Sequence, residues 1–351
     1  MRNDNRMEIE KQSELDRRDA MALAAVATVG LMIPATNTLA KETETKSAKF
    51  NYDAIIVGGG PSGLSAALVL GRCCRKVLVC DAGNPRNRTS PAVHGFLSRD
   101  GIAPAELLKI GRDQLRPYGV EFQSVMISSA EQLDAGFRLQ TDTGKSLTTR
   151  KLIIATGVKD VLPEIPGLAE LWGIGVYHCP YCHGWEARGK RWAYVADTKF
   201  AVDWGSELKG WTTDLTYCSN GSLELPNADR DLLKKRGIKI REESIEKTEG
   251  TDDSLSRVVF SNGEPLNVDA LFIRAPMKQH SSLLEQLGCK LSSIKGMFID
   301  AAETDQFGAT SVTGLFVVGD ASFGASQVTT AVSDGSMAAI MVNKSLIEED
   351  Y

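Results

Sequence analysis

From residue 50 onward, short apolar runs alternate with glycine-rich or polar segments. The runs at 53–57, 76–80 and 151–155 are dominated by valine, isoleucine, leucine and alanine, a pattern typical of strands buried on both faces of a parallel sheet. A helix-compatible apolar stretch follows the first run, and a longer one with many small residues spans 327–346. Alternating strands and helices predict an α/β fold with parallel sheets.

The chain also carries signs of a second α/β unit. Proline and glycine residues at 163–167 mark a linker, which indicates a domain boundary. Beyond it, strand-like runs at 191–195 and 215–220 repeat a strand–helix–strand spacing, and 266–273 forms another strand-like run. The sequence therefore predicts two Rossmann-like units.

The first strand runs directly into Gly58-Gly59-Gly60-Pro61-Ser62-Gly63, and a helix follows. In this setting Gly-x-Gly-x-x-Gly is the dinucleotide-binding fingerprint, because its glycines allow a tight turn, close approach of a pyrophosphate and close helix packing. Unpaired N–H groups at the helix N-terminus face the phosphates. Asp81, at the end of the second strand, stands where an acid bonds a ribose hydroxyl. The alternative is a glycine-rich turn in another kind of α/β unit.

Further candidate cofactor contacts lie at other strand ends. Gly157 closes the Ala-Thr-Gly end of the strand that begins at residue 151. Near the C-terminus a strand ends in Gly319-Asp320, and an acid there can bond a ribityl hydroxyl. The helix that starts near Gln327 can point N–H groups at a flavin ring. Polar and glycine residues at 86–87 and 94–96 either line the same cofactor or form a surface loop.

The stretch with the most reactive chemistry is Cys179-Pro180-Tyr181-Cys182-His183-Gly184-Trp185-Glu186. Two cysteines two residues apart form and break a disulfide with little backbone movement, and such a pair often contains a thiol of depressed pKa. His183 can carry a proton near neutral pH, or it only packs or caps. Cys-x-x-Cys-His is also the attachment signature of a c-type haem, and Cys-x-x-Cys can be half of a zinc site.

Charge argues against one class of partner, and the N-terminus indicates export. The formal net charge is −5 and no long basic run occurs, so nucleic acid is not an expected partner.

Residues 1–40 combine Arg17-Arg18 with an apolar stretch at 20–33, which resembles a twin-arginine export signal, and 41–50 is a polar linker. The apolar stretch is too short for a stable membrane span. A periplasmic protein is predicted; an anchor, or a disordered leader on a cytoplasmic protein, is the alternative.

The second unit lacks a glycine fingerprint of its own. After the strand at 191–195 the chain reads Ala196-Asp197-Thr198-Lys199-Phe200-Ala201, with side chains at both leading glycine positions. Asp197 would put negative charge beside a pyrophosphate, and Phe200 adds bulk. The next strand ends at 218–220 without arginines that would hold a 2′-phosphate. The strand–helix–strand framework is predicted to be kept while its nucleotide contacts are lost.

Taken in order, the turn at 58–63, Ala155-Thr156-Gly157, the cysteine pair and Gly319-Asp320 resemble the low-molecular-weight thioredoxin reductase family of FAD-dependent disulfide oxidoreductases, over roughly residues 51–349. The stretch around the cysteines is similar to a subgroup that includes gliotoxin-type dithiol oxidases. The resemblance implies a homodimer, and a smaller pyridine-nucleotide-type domain inserted in an FAD-binding domain. The implied boundaries are 51–163 with 271–351 for the FAD-binding domain, and 164–270 for the inserted domain.

The resemblance also implies roles for individual residues. Cys179 and Cys182 are the redox pair, one attacking the substrate and the other facing the flavin. His183 stands where thioredoxin reductases have an acid that manages protons. The FAD contacts implied are Gly58, Gly60, Pro61, Ser62, Gly63 and Asp81, together with Gly157, Gly319, Asp320 and Gln327.

These residues lead to three functional hypotheses. The first is an exported FAD-dependent dithiol oxidase, in which a dithiol reduces the Cys179–Cys182 disulfide and oxygen or another acceptor takes the electrons. The second is an NADPH-dependent thioredoxin reductase, although the second turn makes NADPH doubtful. The third is a haem or zinc protein without flavin. The substrate expected for the first two is a small dithiol or disulfide, or a thioredoxin-like protein.

Overall fold

The computed structural model describes residues 50–221, 225–251, 253–294, 297–322 and 326–351. The predicted export signal at 1–40 and nearly all of the predicted linker at 41–50 lie outside these residues. Within the part of the chain that is described, no helix is long and apolar enough to cross a membrane.

The strands, in chain order, are β1 (Tyr52–Val57), β2 (Val77–Cys80), β3 (Glu121–Gln123), β4 (Ile127–Leu133), β5 (Gly136–Thr141), β6 (Ser146–Ile154), β7 (Val158–Asp160), β8 (Val176–Tyr177), β9 (Trp192–Val195), β10 (Leu215–Cys218), β11 (Lys239–Arg241), β12 (Ile245–Thr251), β13 (Ser254–Phe260), β14 (Leu266–Asn267), β15 (Ala270–Ile273), β16 (Met277–Gln279), β17 (Leu291–Ile294), β18 (Phe298–Ala302) and β19 (Leu315–Val317). The helices are α1 (Pro61–Arg72), α2 (Pro104–Leu115), α3 (Pro180–Ala187), α4 (Thr198–Leu208), α5 (Asn227–Lys235), α6 (Leu283–Gln286) and α7 (Val328–Asp350).

The first sheet has the order β3-β2-β1-β6-β5-β4, and β19 pairs with β6. Strands β1, β2, β3, β6 and β19 run parallel, whereas β4 and β5 form an antiparallel excursion on β6. All four residues of β2 are buried, as its continuous apolar run predicts for a central parallel strand. Because β19 lies far downstream in sequence, this sheet is built from both ends of the described chain.

Helices α1 and α7 pack closely beside this sheet. Gly335 of α7 lies against the start of α1, where an added Cβ would stand 2.0 Å from the carbonyl oxygen of Ser62. Small buried residues continue the contact, because only small side chains let two helix backbones approach this far. These residues are Ala66, Ala67, Ala338 and Ala339.

The second sheet, with the order β11-β10-β9-β15-β8, is parallel throughout. One face is filled by large aromatic side chains that contact one another: Trp192, Tyr194, Tyr217 and Phe272. Two smaller sheets complete the architecture, with the orders β12-β13-β14 and β17-β18-β16-β7.

The predicted α/β fold with two Rossmann-like units is confirmed, and the second sheet lies within the sequence of the first. The exact boundaries at 163/164 and 270/271 stay predictions. The prediction of one strand over 266–273 is wrong, because this run forms two strands, β14 and β15, which belong to different sheets. Two element ends also differ from expectation. The strand predicted over 215–220 ends at Cys218, since Asn220 adopts a left-handed φ of 56°. The C-terminal helix continues to Asp350 rather than ending at 346.

Candidate active site

The glycine-rich turn is shaped by contacts that exclude side chains at two positions and leave a third open. Gly58 has a φ of +112°, and a Cβ there would lie 2.2 Å from the carbonyl oxygen of Ala155. A Cβ on Gly63 would lie 1.9 Å from the carbonyl oxygen of Gly58. By contrast, a Cβ on Gly60 would meet no atom within 4 Å. The turn therefore presents open backbone on the side where a pyrophosphate would lie.

Asp81 ties this turn to the end of β2. Its Oδ1 accepts a hydrogen bond of 3.0 Å from the Gly59 N–H, which fixes the carboxylate beside the turn. Gly319 supports the turn from below, because a Cβ there would stand 2.6 Å from the buried Ser62 Oγ. Gly63 and Gly319 thus act through packing rather than by lining the cavity above them.

A cavity of about 260 Å³ connects the turn with the cysteine helix. The sequence-predicted residues that line it are Gly58, Gly60, Pro61, Ser62, Asp81, Gly157, Cys182, His183, Asp320 and Gln327. Three predicted residues, Gly63, Cys179 and Gly319, are not among its lining residues. The structure therefore brings strand ends from distant parts of the sequence to one site, together with the redox motif.

The donors and acceptors of this cavity fit FAD. Thr156 lines it, and its buried Oγ1 has no hydrogen-bond partner within the protein, as expected for a group that faces a polar ligand. Gln327 is the N-cap of α7, so the free N–H groups of a long helix open toward the cavity. The turn at 58–63, Asp81 and Asp320 would hold the nucleotide and ribityl parts of FAD, whose bound ring supplies two-electron chemistry.

The two cysteines lie at the start of α3, with Cys179 as the N-cap and Cys182 in the first turn. Both are free thiols and only partly exposed. A hydrogen bond from Cys182 lowers the pKa of Cys179, although burial opposes this shift. The same hydrogen bond, together with burial, raises the pKa of Cys182. In the reduced pair, Cys179 is therefore the sulfur that loses its proton more readily, and Cys182 is the one that lines the cavity.

His183 lies on the inner side of α3, against the first domain. Its ring stacks on Tyr177 with centroids 4.4 Å apart, and its Nε2 lies 3.3 Å from the Ser90 Oγ. Burial lowers the pKa of His183, although the carboxylate of Glu186 opposes the shift. Its Nδ1 is buried without a partner within the protein. A neutral imidazole with one free nitrogen can accept a proton from a thiol at neutral pH.

Several residues of the site were missed or left open at the sequence level. Arg86 and His94, which lie in segments with an ambiguous pattern, line the cavity. Asp160 and His178 line it as well, but no motif marks either of them. Burial lowers the pKa of His178 to about 4, and the nearby Arg86 charge acts in the same direction. The position of His178 directly before Cys179 was the one signal available in the sequence.

The second turn has a different interior. Ala196 is buried, and its carbonyl oxygen accepts a hydrogen bond of 3.1 Å from the Tyr217 hydroxyl. The Tyr194 hydroxyl donates to the carbonyl oxygen of Ala201 at 2.6 Å. Above the turn, the Arg274 guanidinium lies 4.1 Å from the centroid of the Phe200 ring. Aromatic side chains therefore occupy the surroundings of this turn, and Asp197 remains exposed at the helix N-terminus.

Residues 52–202 and 221–335 match the sequence profile described as pyridine nucleotide-disulphide oxidoreductase. The chain belongs to this family. It is 32% identical to the thioredoxin reductase tcpT of Claviceps purpurea, over 85% of this chain and 95% of that protein. Among solved structures, HlmI is 35% identical with a TM-score of 0.79, covering 85% of this chain and 93% of that one. An oxidoreductase from Agrobacterium tumefaciens is 34% identical with a TM-score of 0.79, covering 84% and 98%.

Membership of the pyridine nucleotide-disulphide oxidoreductase family makes the protein an FAD-dependent oxidoreductase that acts on sulfur groups. The expected resemblance to low-molecular-weight thioredoxin reductases, including the gliotoxin-type subgroup, is confirmed by these relatives. The roles of individual residues stay predictions. In the described ranges, no three His, Cys, Asp or Glu side chains converge as metal ligands.

Proposed function

We propose that this protein is an exported FAD-dependent dithiol oxidase that does not depend on NADPH. The observation that carries the proposal is the second turn, where side chains stand at both leading glycine positions and a carboxylate lies at the helix N-terminus. A phosphate at that helix end would meet the negative charge of Asp197. The first turn, in contrast, offers open backbone at Gly60.

The cysteine pair carries the thiol chemistry. A substrate thiolate attacks the Cys179 sulfur of the oxidised pair, the S–S bond breaks, and Cys182 leaves as a thiolate that takes up a proton. The second substrate thiol attacks the mixed disulfide and releases Cys179, so the substrate loses two electrons and two protons and the pair gains them. His183 accepts the proton of the attacking thiol. The chemistry supplied by bound FAD is two-electron acceptance from the reduced pair, with oxygen or another external acceptor as the final oxidant.

The division of labour between the two sulfurs is supported by their positions. Cys182 lines the cavity, and Cys179 does not. On α3, Tyr181 and Trp185 expose 63% and 66% of their surfaces, and Tyr181 also lines the cavity. Such exposed aromatic rings suit an apolar substrate or partner. The substrate is proposed to be a small dithiol or the dithiol of a thioredoxin-like protein, and the family resemblance supports a homodimer.

The deciding experiment is an anaerobic titration of the purified holoenzyme, followed by flavin absorbance. A small dithiol such as dithiothreitol is expected to bleach the flavin band quickly, whereas NADPH at millimolar concentration is expected to bleach it slowly or not at all. Cys179→Ser and Cys182→Ser should each retain FAD and lose dithiol-driven bleaching, because exchange requires both sulfurs. Rapid, saturable bleaching by NADPH would overturn the proposal.

A second candidate is an NADPH-dependent thioredoxin reductase. It is favoured by the fully parallel second sheet and by the similarity to the Claviceps purpurea relative, which is named a thioredoxin reductase. Export is tested separately, because it rests on residues 1–40. Expression with the native N-terminus should yield a periplasmic, shortened protein, and Arg17→Lys with Arg18→Lys should leave it in the cytoplasm.

A further inference from the structure

Arg86 forms a charged cluster in the wall of the cavity. Its Nη2 donates to the Asp160 Oδ1 at 2.5 Å, and its Nε donates to the Asp160 Oδ2 at 3.0 Å. Its Nη1 donates to the Asp320 Oδ2 at 2.9 Å. The side chains of Arg86, Asp160 and Asp320 are 16%, 7% and 22% exposed. All three residues line the cavity, so this cluster belongs to the site and not to the protein surface.

The cluster joins three parts of the chain that are distant in sequence. Arg86 follows the end of β2, Asp160 ends β7, and Asp320 follows β19. Removing charges from water is costly, and an apolar trio could connect these segments at least as well. The bidentate grip of Asp160 fixes the guanidinium plane, which leaves Nη1 aimed at Asp320. A buried, oriented cation in an active-site cavity indicates a role in its chemistry.

Arg86 also acts on the groups of the redox motif. Burial opposes its charge, but the hydrogen bonds that Arg86 donates to Asp160 hold the pKa of Arg86 above its ordinary value, so it is a permanent cation. The largest effects on the pKa values of Cys179 and Cys182 are their mutual hydrogen bond and burial. The charge of Arg86 is a smaller effect, and it lowers both pKa values. The other titratable groups that act on these two cysteines and the neighbouring histidines are Asp320 on Cys182, Asp160 and His183 on His178, and Glu186 and His94 on His183.

We propose that Arg86 is a positioning residue for the thiol–disulfide reaction: held by Asp160, it orients Asp320 in the FAD cavity and keeps a fixed positive charge beside the cysteine pair. The inference rests on the proposed redox role of that pair. The charge stabilises the thiolate that forms whenever the disulfide opens. A lysine at this position would keep the charge but not the fork that grips one carboxylate while reaching another.

The test measures thiols directly and does not use turnover. The reduced holoenzyme is alkylated with iodoacetamide between pH 5 and 10, and the rate of Cys179 modification is followed by peptide mass spectrometry. Arg86→Gln is expected to move the curve to higher pH by about one unit, so alkylation on the rising limb of the curve falls about tenfold. Arg86→Lys should give an intermediate curve. Arg191→Gln, which breaks an exposed ion pair with Asp269, serves as the matched control and should leave the curve unchanged.

An alkylation curve of Arg86→Gln that superimposes on the wild type would overturn the proposal. If Arg86→Gln does not fold, Arg86→Lys decides: a curve identical to the wild type contradicts the need for a charge held in place by the Asp160 fork, and a curve shifted to higher pH supports it. If a variant loses FAD, the comparison is made between the FAD-free forms of variant and wild type, where the same ordering is expected. Rapid reduction by NADPH would remove the proposed oxidase function without altering these curves, so the two failures are distinguishable.

Discussion

In each of the two Rossmann-like units, one parallel strand leads through a short turn into a helix, but the two turns differ in the residues that form them. In the first, the turn after β1 is built from glycines, and the acid at the end of β2 accepts a hydrogen bond from the Gly59 N–H. In the second, the turn after β9 carries side chains, and the neighbouring strand β10 supplies the Tyr217 hydroxyl to the Ala196 carbonyl oxygen. The first turn leaves backbone open to a ligand at Gly60, whereas tyrosine hydroxyls from the core bond the carbonyl oxygens of Ala196 and Ala201 in the second.

Comparing the two turns distinguishes the residues that the fold needs from the residues that nucleotide binding needs. A parallel strand–helix–strand unit needs a short turn and a buried interface, and in the second unit the Tyr194 side chain provides that interface by packing against Gly205 of α4. A pyrophosphate needs backbone approach and free N–H groups, which Gly60 allows. A nucleotide-type domain can therefore keep its architecture while its chemistry moves elsewhere, in this case to α3.

The largest expected effect comes from placing the same carboxylate in both turns. Gly60→Asp should abolish FAD retention, because the new carboxylate would face the pyrophosphate. A Cβ at this position meets no atom within 4 Å, so the loss would not arise from a clash within the protein. The measurement is the flavin content of the purified protein.

Two matched variants sharpen this prediction. Gly60→Ala adds the Cβ without the charge and should keep substantially more FAD than Gly60→Asp. Thr198→Asp puts the carboxylate at the second glycine position of the motif in the second turn, directly after the N-cap Asp197, and should leave both FAD content and dithiol turnover unchanged. Equal sensitivity of the two turns would erase the proposed difference between them.

The next largest effect is expected at His183 of α3, and it tests whether the catalytic groups of the second domain lie on this helix. His183→Ala should lower dithiol turnover about a hundredfold, which is within the usual contribution of a general base, while FAD stays bound. Because burial lowers the pKa of His183 below its ordinary 6.5, the neutral base is complete at pH 7 and is lost as pH falls through that lowered pKa. Wild-type turnover should therefore decline on the acid side, below pH 6.5.

In His183→Ala this acid limb should be absent. His183→Asn keeps a polar side chain of similar size but cannot titrate, so its pH–rate profile should also lack the limb. The charged groups that influence His183 are Glu186 and His94, and both remain in these variants. A wild-type-like acid limb in either variant would mean that His183 only packs against Tyr177.

A smaller effect is expected at the acid of the first turn. Asp81→Ala should weaken FAD binding about tenfold, the usual cost of losing a charged hydrogen-bond partner. Asp81→Asn keeps an oxygen that can accept from the Gly59 N–H and should fall between Asp81→Ala and the wild type. Equilibrium binding of FAD to the apoprotein measures the difference. Unchanged affinity in Asp81→Ala would show that glycine backbone alone carries the binding.

The elements that could be predicted from sequence are those with a local cause. The strand at β2, the turn at 58–63 and the start of α1 at Pro61 all follow from residues adjacent in the chain. The meeting of Gly319 with Ser62 also had a signal, because a strand that ends in Gly-Asp is part of the family pattern. The cysteine motif could be recognised from the spacing of its two cysteines alone.

Contacts between distant segments had no such signal. Arg86 forms hydrogen bonds with Asp160 and Asp320, which lie 74 and 234 residues further along the chain. No periodicity connects these positions, and a lone arginine in a polar loop has the pattern of a surface residue. The burial of His178 likewise depends on how the first domain packs against α3. The residues next to His178 in the sequence do not indicate this packing.

The smallest expected effect concerns the interior of the second turn. Tyr217→Phe removes the hydroxyl that donates to the Ala196 carbonyl oxygen and leaves that buried acceptor without its partner, at a cost of about 1–2 kcal/mol in the free energy of unfolding. Urea unfolding followed by tryptophan fluorescence reports the change, since Trp192 and Trp204 lie in the same core. Tyr118→Phe, which deletes an exposed hydroxyl that accepts from Arg72, should cost much less. Because the turn is proposed to carry structure and not nucleotide, FAD content and dithiol turnover of Tyr217→Phe should match the wild type; a loss of either would tie the second turn to catalysis.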